Sequence, residues 1–140
     1  MAATDKNDAQ PIRLTLEFNT ASGMGTTYYA LEAQTYRQLR IWQAQQKQQP
    51  TSQDLNAWLN KNGGKRDRAD GPAVVVTRPD GYRREVWYRN GQFDRADGPA
   101  FVETRADGSS YEAWYRNGEF VKAETLANPA TIPRGDHPLA

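Results

Sequence analysis

The feature that most narrows what this chain can fold into is a repeat in its second half. Asp70-Gly71-Pro72-Ala73 returns as Asp97-Gly98-Pro99-Ala100, and Arg78-Pro79-Asp80-Gly81 returns as Arg105-Ala106-Asp107-Gly108. Trp87-Tyr88-Arg89-Asn90-Gly91 returns as Trp114-Tyr115-Arg116-Asn117-Gly118, and every block is displaced by 27 positions. Arg68-Ala69 and Arg95-Ala96 keep the same offset, as do Glu85 and Glu112. Several blocks at one fixed spacing mark a repeated supersecondary unit, which buries its apolar face by packing on its neighbour.

The turn formers dictate what one unit is. Ala73 to Arg78, dominated by Val74, Val75 and Val76, favours a strand. Asp80-Gly81 supplies a tight turn, Tyr82 to Arg89 a returning strand, and Asn90-Gly91 a strong hairpin signal. Gln92-Phe93 opens a short third strand. The stretch Asp94 to Pro99 is too rich in turn formers for a strand interior, because Pro99 cannot donate to a ladder. It crosses to the next unit, whose strands are Ala100 to Arg105 and Ser109 to Arg116. The expectation is an antiparallel β-meander of two 27-residue repeats. Asn62-Gly63-Gly64 approximates the turn before the first unit, and Asn117-Gly118-Glu119-Phe120 opens a third that fades at Lys122-Ala123-Glu124. Such atypical ends suit caps.

A side-chain period of two puts Val86 and Tyr88 on one face and Glu85, Trp87 and Arg89 on the other. Either aromatic set can fill a core. The reading adopted places Tyr88 and Tyr115 inward beside Val74 and Phe101, and leaves Trp87 and Trp114 among Glu and Arg on the more open face. Two units bury too little area to stand alone, so the N-terminal part is expected to pack against them.

That part reads as a small α+β element. Ile12, Leu14, Leu16 and Phe18 alternate with Arg13, Thr15 and Glu17, the pattern of a half-buried strand. Asn19 to Gly25 reads as a flexible turn and Thr26 to Leu31 as the partner strand. A helix is predicted from Glu32 or Ala33 to Gln48, with Thr35, Leu39 and Trp42 on one face and Pro50 ending it. Thr51 or Ser52 caps a second helix through Leu55, Trp58 and Leu59, with Asp54 completing a capping box from Thr51. Asn60 to Gly64 stops it. The fold class expected is therefore α+β, with a disordered tail at 1–10, a hairpin and two helices at 11–61, the β-hairpin repeats at 62–124 and an irregular tail at 125–140.

The 140 residues suit one domain, and their composition removes much chemistry. There is no Cys, which excludes disulfides, thiolate metal sites and a cysteine nucleophile, and His137 is the single His. No metal or cofactor is expected. His137 stands in a Pro/Gly-rich stretch that holds no catalytic base in place. Asp70, Asp80, Asp97 and Asp107 each precede Gly, where turn geometry alone favours Asp. Glu85 and Glu112 lie among arginines that lower rather than raise a carboxyl pKa. Neither environment makes a general acid, and Gly23-Met24-Gly25-Thr26 lacks the Lys of a phosphate loop. No catalytic residue is assigned. No apolar run suits a membrane span or a signal peptide, so the expectation is a cytoplasmic protein without membrane contact.

Binding is what remains. Residues 61–140 carry 13 of the 18 basic and 12 of the 17 acidic side chains, a dense but balanced charge. The candidate partner-binding surface is Glu85, Trp87, Arg89, Glu112, Trp114 and Arg116, extended by Arg84 and Tyr111, since Arg and aromatic residues are enriched at interfaces. A protein partner is the leading expectation. Single-stranded nucleic acid, stacked on aromatics between arginines, is an alternative that the local carboxylates oppose. Self-assembly, for instance as a homodimer, is another.

The blocks Arg68-Ala69-Asp70-Gly71-Pro72-Ala73, Arg78-Pro79-Asp80-Gly81 and Glu85-Val86-Trp87-Tyr88-Arg89-Asn90-Gly91 resemble the short R-x-D-G-P-A … G … E-x-W-Y-x-N-G repeat of uncharacterised bacterial and phage proteins. That repeat is itself similar to variant MORN-type β-hairpin repeats. The resemblance covers about residues 62–122. It implies a β-meander scaffold with an interaction role, such as an inhibitor, an immunity protein or a phage accessory factor, and it identifies no catalytic residue. Members often carry His where this chain has Asp67 and Asp94, so any imidazole chemistry is lost here. Residues 1–60 match no family by resemblance.

Overall fold

Alternating apolar residues produce the first strand, but a longer one than the pattern marks. In the computed structural model, which describes residues 10–128, β1 runs Ile12–Thr20 and β2 runs Gly23–Leu31. They pair antiparallel without a break from Ile12↔Leu31 to Thr20↔Gly23. The turn expected over Asn19 to Gly25 is thus only Ala21-Ser22. Its glycines are not there for flexibility. A Cβ at Gly25 would overlap the Phe18 ring on the neighbouring strand, and one at Gly23 would stand 2.7 Å from the Thr77 carbonyl oxygen. Close approach, rather than turning, explains glycine at both positions.

Helix α1 spans Ala33–Gln45 and α2 spans Ser52–Lys61. The first stops three residues before the predicted Gln48. There the Gln46 side-chain amide donates to the Trp42 carbonyl at 3.0 Å, and the Gln46 backbone N–H turns to Gln43. The second helix starts as its capping box requires: Asp54 N–H donates to Thr51 Oγ1 at 3.0 Å, and Thr51 N–H donates to Asp54 Oδ2 at 3.1 Å. At its end Gly63 takes a φ of +96°, and Gly64 N–H reaches back to the Leu59 carbonyl at 2.8 Å. Asn62-Gly63-Gly64 is therefore the helix stop expected over Asn60 to Gly64, and it does not also make the hairpin turn approximated before the first unit.

The remaining strands are β3 (Lys65–Arg66), β4 (Val74–Thr77), β5 (Arg83–Val86), β6 (Tyr88–Arg89), β7 (Gln92–Phe93), β8 (Phe101–Thr104), β9 (Ser110–Arg116) and β10 (Glu119–Leu126). One antiparallel sheet runs in the order β1-β2-β4-β5-β8-β9-β10, with β3 also on β2, while β6 and β7 form a separate ribbon. The chain is thus a mixed α+β fold whose N-terminal hairpin, through β2 and β4, is continuous with the C-terminal sheet. The expected strand Tyr82 to Arg89 is interrupted at Trp87, whereas its counterpart β9 runs unbroken to Arg116. The difference lies in where the chain goes next. After β6 it must leave within a few residues for the Asp94–Pro99 crossing, so β6–β7 peels away; after β9 no crossing intervenes, and β10 continues along it to Leu126. That strand takes in Thr125 and Leu126, where irregular chain was expected. Residues 1–9 and 129–140, including His137, lie outside the described residues.

Cross-strand register sorts side chains into two faces. Leu16, Thr27, Val74, Val86, Phe101 and Ala113 form one row, since each is the direct partner of the next. On this inner face the helices lay Leu39 and Leu59 against Leu16, Tyr29 and Leu31, the main core. Trp42 and Trp58 stack beside it, with ring centroids 5.8 Å apart. Among the described residues no helix is long and apolar enough to cross a membrane.

Candidate interaction surface

The helices cover only the β1–β2 end of the inner face. Over β4, β5 and β8 the same face forms an open trough of about 520 Å3. Val74, Val76, Val86 and Phe101 make its floor, Phe18 and Asn56 one side, and Tyr88 and Phe93 the other. Only Val86 of the floor is fully buried. Arginines supply the charge. Arg84 stands opposite Glu103 in the register, and Arg78 lies 4.2 Å from the Tyr82 ring centroid. Arg66 donates to the Tyr88 hydroxyl at 3.4 Å, while its buried Nε finds no partner among the described residues. Glu103 accepts from the Tyr82 hydroxyl at 2.7 Å; burial and that hydrogen bond push the Tyr82 phenol above its usual range.

Tyr88 and Tyr115, expected inward, are half-buried members of an aromatic row along this side. Tyr88, Phe93, Tyr115 and Phe120 contact in turn at centroid distances of 5.0, 4.7 and 5.5 Å. The fully buried apolar positions described in this half are small instead: Ala73, Ala100 and Ala113 beside Val86.

On the outer face each of three aromatic rings carries a cation. Arg68 lies over Tyr28 at 4.2 Å, Arg95 over Trp87 at 3.9 Å and Lys122 over Trp114 at 4.5 Å. Backbone bonds place the first two pairs alike: Tyr28 N–H donates to Ala73 O and Trp87 N–H to Ala100 O, while Asp67 N–H donates to Tyr28 O and Asp94 N–H to Trp87 O. The arginines are held from behind. Arg68 donates to Asp70 and to the Pro72 carbonyl, and Arg95 to Asp97 and the Pro99 carbonyl, at 3.1 to 3.2 Å. Each guanidinium therefore spans its own turn and the ring of the hairpin before it, a contact worth about 0.5–2 kcal/mol.

Asp67 and Asp94 act as structural acceptors. Asp67, 5% exposed, accepts from the Asn90 backbone N–H at 2.6 Å, from Arg13 at 2.7 Å and lies 3.4 Å from Arg89 Nε. Asp94 accepts from Asn117 N–H at 2.8 Å and from Arg116 Nε at 3.3 Å. Both asparagines have positive φ, 53° and 51°, as an Asn-Gly hairpin turn demands. A carboxylate fixed on that N–H holds the strained turn in place.

The predicted surface is accordingly divided. Glu85, Glu112, Trp114 and Arg116 share the outer face, with Glu85 and Glu112 each directly opposite Val102. Trp87 and Arg89 line a shallow groove between the 68–71 and 94–97 turns. Arg84 and Tyr111 belong to the inner face, both in register with Glu103, so they extend a different surface from the one they were grouped with. Arg89 and Arg116 are fastened to Asp67 and Asp94, and Glu85 to Arg83. Sequence reasoning missed Arg66, Val76 and Phe93 as trough residues, and the aspartate locks. The locks had a signal, since Asp, Arg and Asn recur together at matched spacing in both units; the trough had none, because it depends on where the helices stop.

Among the described residues no cluster of three or more His, Asp or Glu side chains has the geometry to hold a metal ion. The chain matches no family model, no curated protein and no solved structure.

Proposed function

We propose that this protein is a non-enzymatic binding module for another protein, of the accessory or inhibitor kind expected of small bacterial or phage proteins, and that it acts by occluding its partner. Its scaffold is two 27-residue units in a meander, with β2 standing in the place of an earlier unit and Tyr28 in the place of its Trp. The observation that carries the reading is the uncovered trough. An apolar floor rimmed by arginines fits an extended segment that presents apolar side chains and carboxylates, buried contacts supplying affinity and the charges orientation. The outer face fits nucleic acid less well than its composition suggests, because one side of Trp87 and of Trp114 is already taken by a cation.

Affinity capture from host lysate, with and without nuclease, tests this when run with surface variants. A stoichiometric protein partner should survive nuclease, be lost with Arg84→Ala or Phe101→Ala, and be retained with Glu85→Ala. Recovery of nucleic acid alone, released by salt, overturns it. So does a partner lost with Trp114→Ala and indifferent to the trough variants.

A further inference from the structure

Among the described residues, the sheet ends in a strand whose outer edge is bare. All eight residues of β10 are exposed, including Phe120 at 59%, Val121 at 57% and Leu126 at 50%, and among the described residues its backbone pairs only with β9. A long edge of this kind is a template for strand addition, and proteins usually blunt it with charge or a bulge. Here the bulge lies near the start, between Phe120 and Lys122, and leaves Lys122 to Leu126 regular.

We infer that β10 pairs with β10 of a second copy of this chain, antiparallel and centred on Ala123, joining two sheets into one across a two-fold axis. Charge complementarity favours both this occupant and this register. A two-fold perpendicular to the sheet keeps each face continuous, so paired residues must come from the same face. Centring on Lys122 sets Lys122 against Lys122, and centring on Glu124 sets Glu124 against Glu124. Centring on Ala123 sets Lys122 against Glu124 twice, with the small Ala123 on the axis. Only this arrangement of the three is free of a like-charge pair, and like charges directly opposed destabilise a sheet. A second feature favours it. Glu124 stands directly opposite Glu112 within its own sheet, and the Lys122 ammonium of the same strand is 3.6 Å away. That ammonium also lies over Trp114. The Lys122 of a second copy brings a further cation to a carboxylate that faces a like charge.

The experiment is sedimentation of the full chain over roughly a hundredfold range of concentration, because a dimer of this kind is governed by mass action. The wild-type protein should associate reversibly to a dimer. Lys122→Glu and Glu124→Lys should each weaken self-association about tenfold or more. Mixing the two single variants should restore it, because each chain then presents one sign to the other; the double variant K122E/E124K should dimerise by itself. Circular dichroism of each variant establishes that it is folded. A wild-type protein that stays monomeric overturns the inference, as do folded single variants that dimerise like the wild type, or a mixture that stays monomeric.

Discussion

The two ends of the one sheet are held by different physics. At the β1–β2 end two helices bury Tyr29, Leu31, Leu39 and Leu59 almost completely, and stability there comes from large apolar side chains removed from water. At the β8–β10 end no helix among the described residues lies over the sheet, the buried residues are alanines, and the strand at the edge is wholly exposed. What holds that end is directional: hairpin turns with positive φ, carboxylates fixed on turn N–H groups, and cations laid on the preceding ring. A sheet can thus be extended beyond its hydrophobic core, provided each added hairpin brings its own polar fastening.

Truncation in the two regions should show the contrast at its largest. Leu31→Ala removes a fully buried side chain and should cost about 3 kcal/mol or more, whereas Phe101→Ala, half-buried on the trough floor, should cost less than half as much. Urea unfolding of both variants measures the difference; equal losses would mean that the open end carries a core of its own. The aspartate locks come next. Asp67→Ala leaves the Asn90 N–H without its acceptor and breaks two arginine contacts, so about 2 kcal/mol is expected, against about 1 kcal/mol for Asp94→Ala, which has one arginine and more water. A larger loss at Asp94 would reverse the assigned order of the two locks.

Helix capping gives a smaller effect. Thr51→Ala should cost about 1 kcal/mol, and Thr51→Ser should recover most of it. The smallest effects lie at the extremes of pH. Burial raises the Tyr29 phenol above its ordinary 10.0, and burial with the Glu103 hydrogen bond raises Tyr82. A neutral form favoured by folding contributes stability that is fully present below pH 10.0 and is lost as pH rises through the folded-state values. Stability should therefore fall in alkali, and less steeply in Tyr29→Phe. Asp107 behaves oppositely. Hydrogen bonds from Ser109 lower its carboxyl below the ordinary 3.8, so its contribution is present above that pH and lost as pH falls through the lower folded-state value. Ser109→Ala, which keeps the backbone N–H donor to Asp107, should weaken that acid dependence and leave the alkaline one untouched.

What the sequence determined by itself is what a few neighbouring residues decide. Asn90-Gly91 and Asn117-Gly118 specify tight turns because the first residue tolerates positive φ and the second has no Cβ. Alternation along Ile12 to Phe18 specifies a half-buried strand, and Thr51 with Asp54 specifies where a helix begins. Only the tertiary structure decided the rest, because it depends on groups far apart in the chain. Gly25 reads as a turn residue until Phe18 is laid across it from the neighbouring strand. Glu85 and Glu112 come to one face, and Arg84 and Tyr111 to the other, through a register that joins separate hairpins. Asp67 becomes a buried lock because Arg13 and Asn90, far apart in the chain, converge on it. The trough exists because the helices stop over β2, and the length of a helix says nothing about which strands it will leave uncovered.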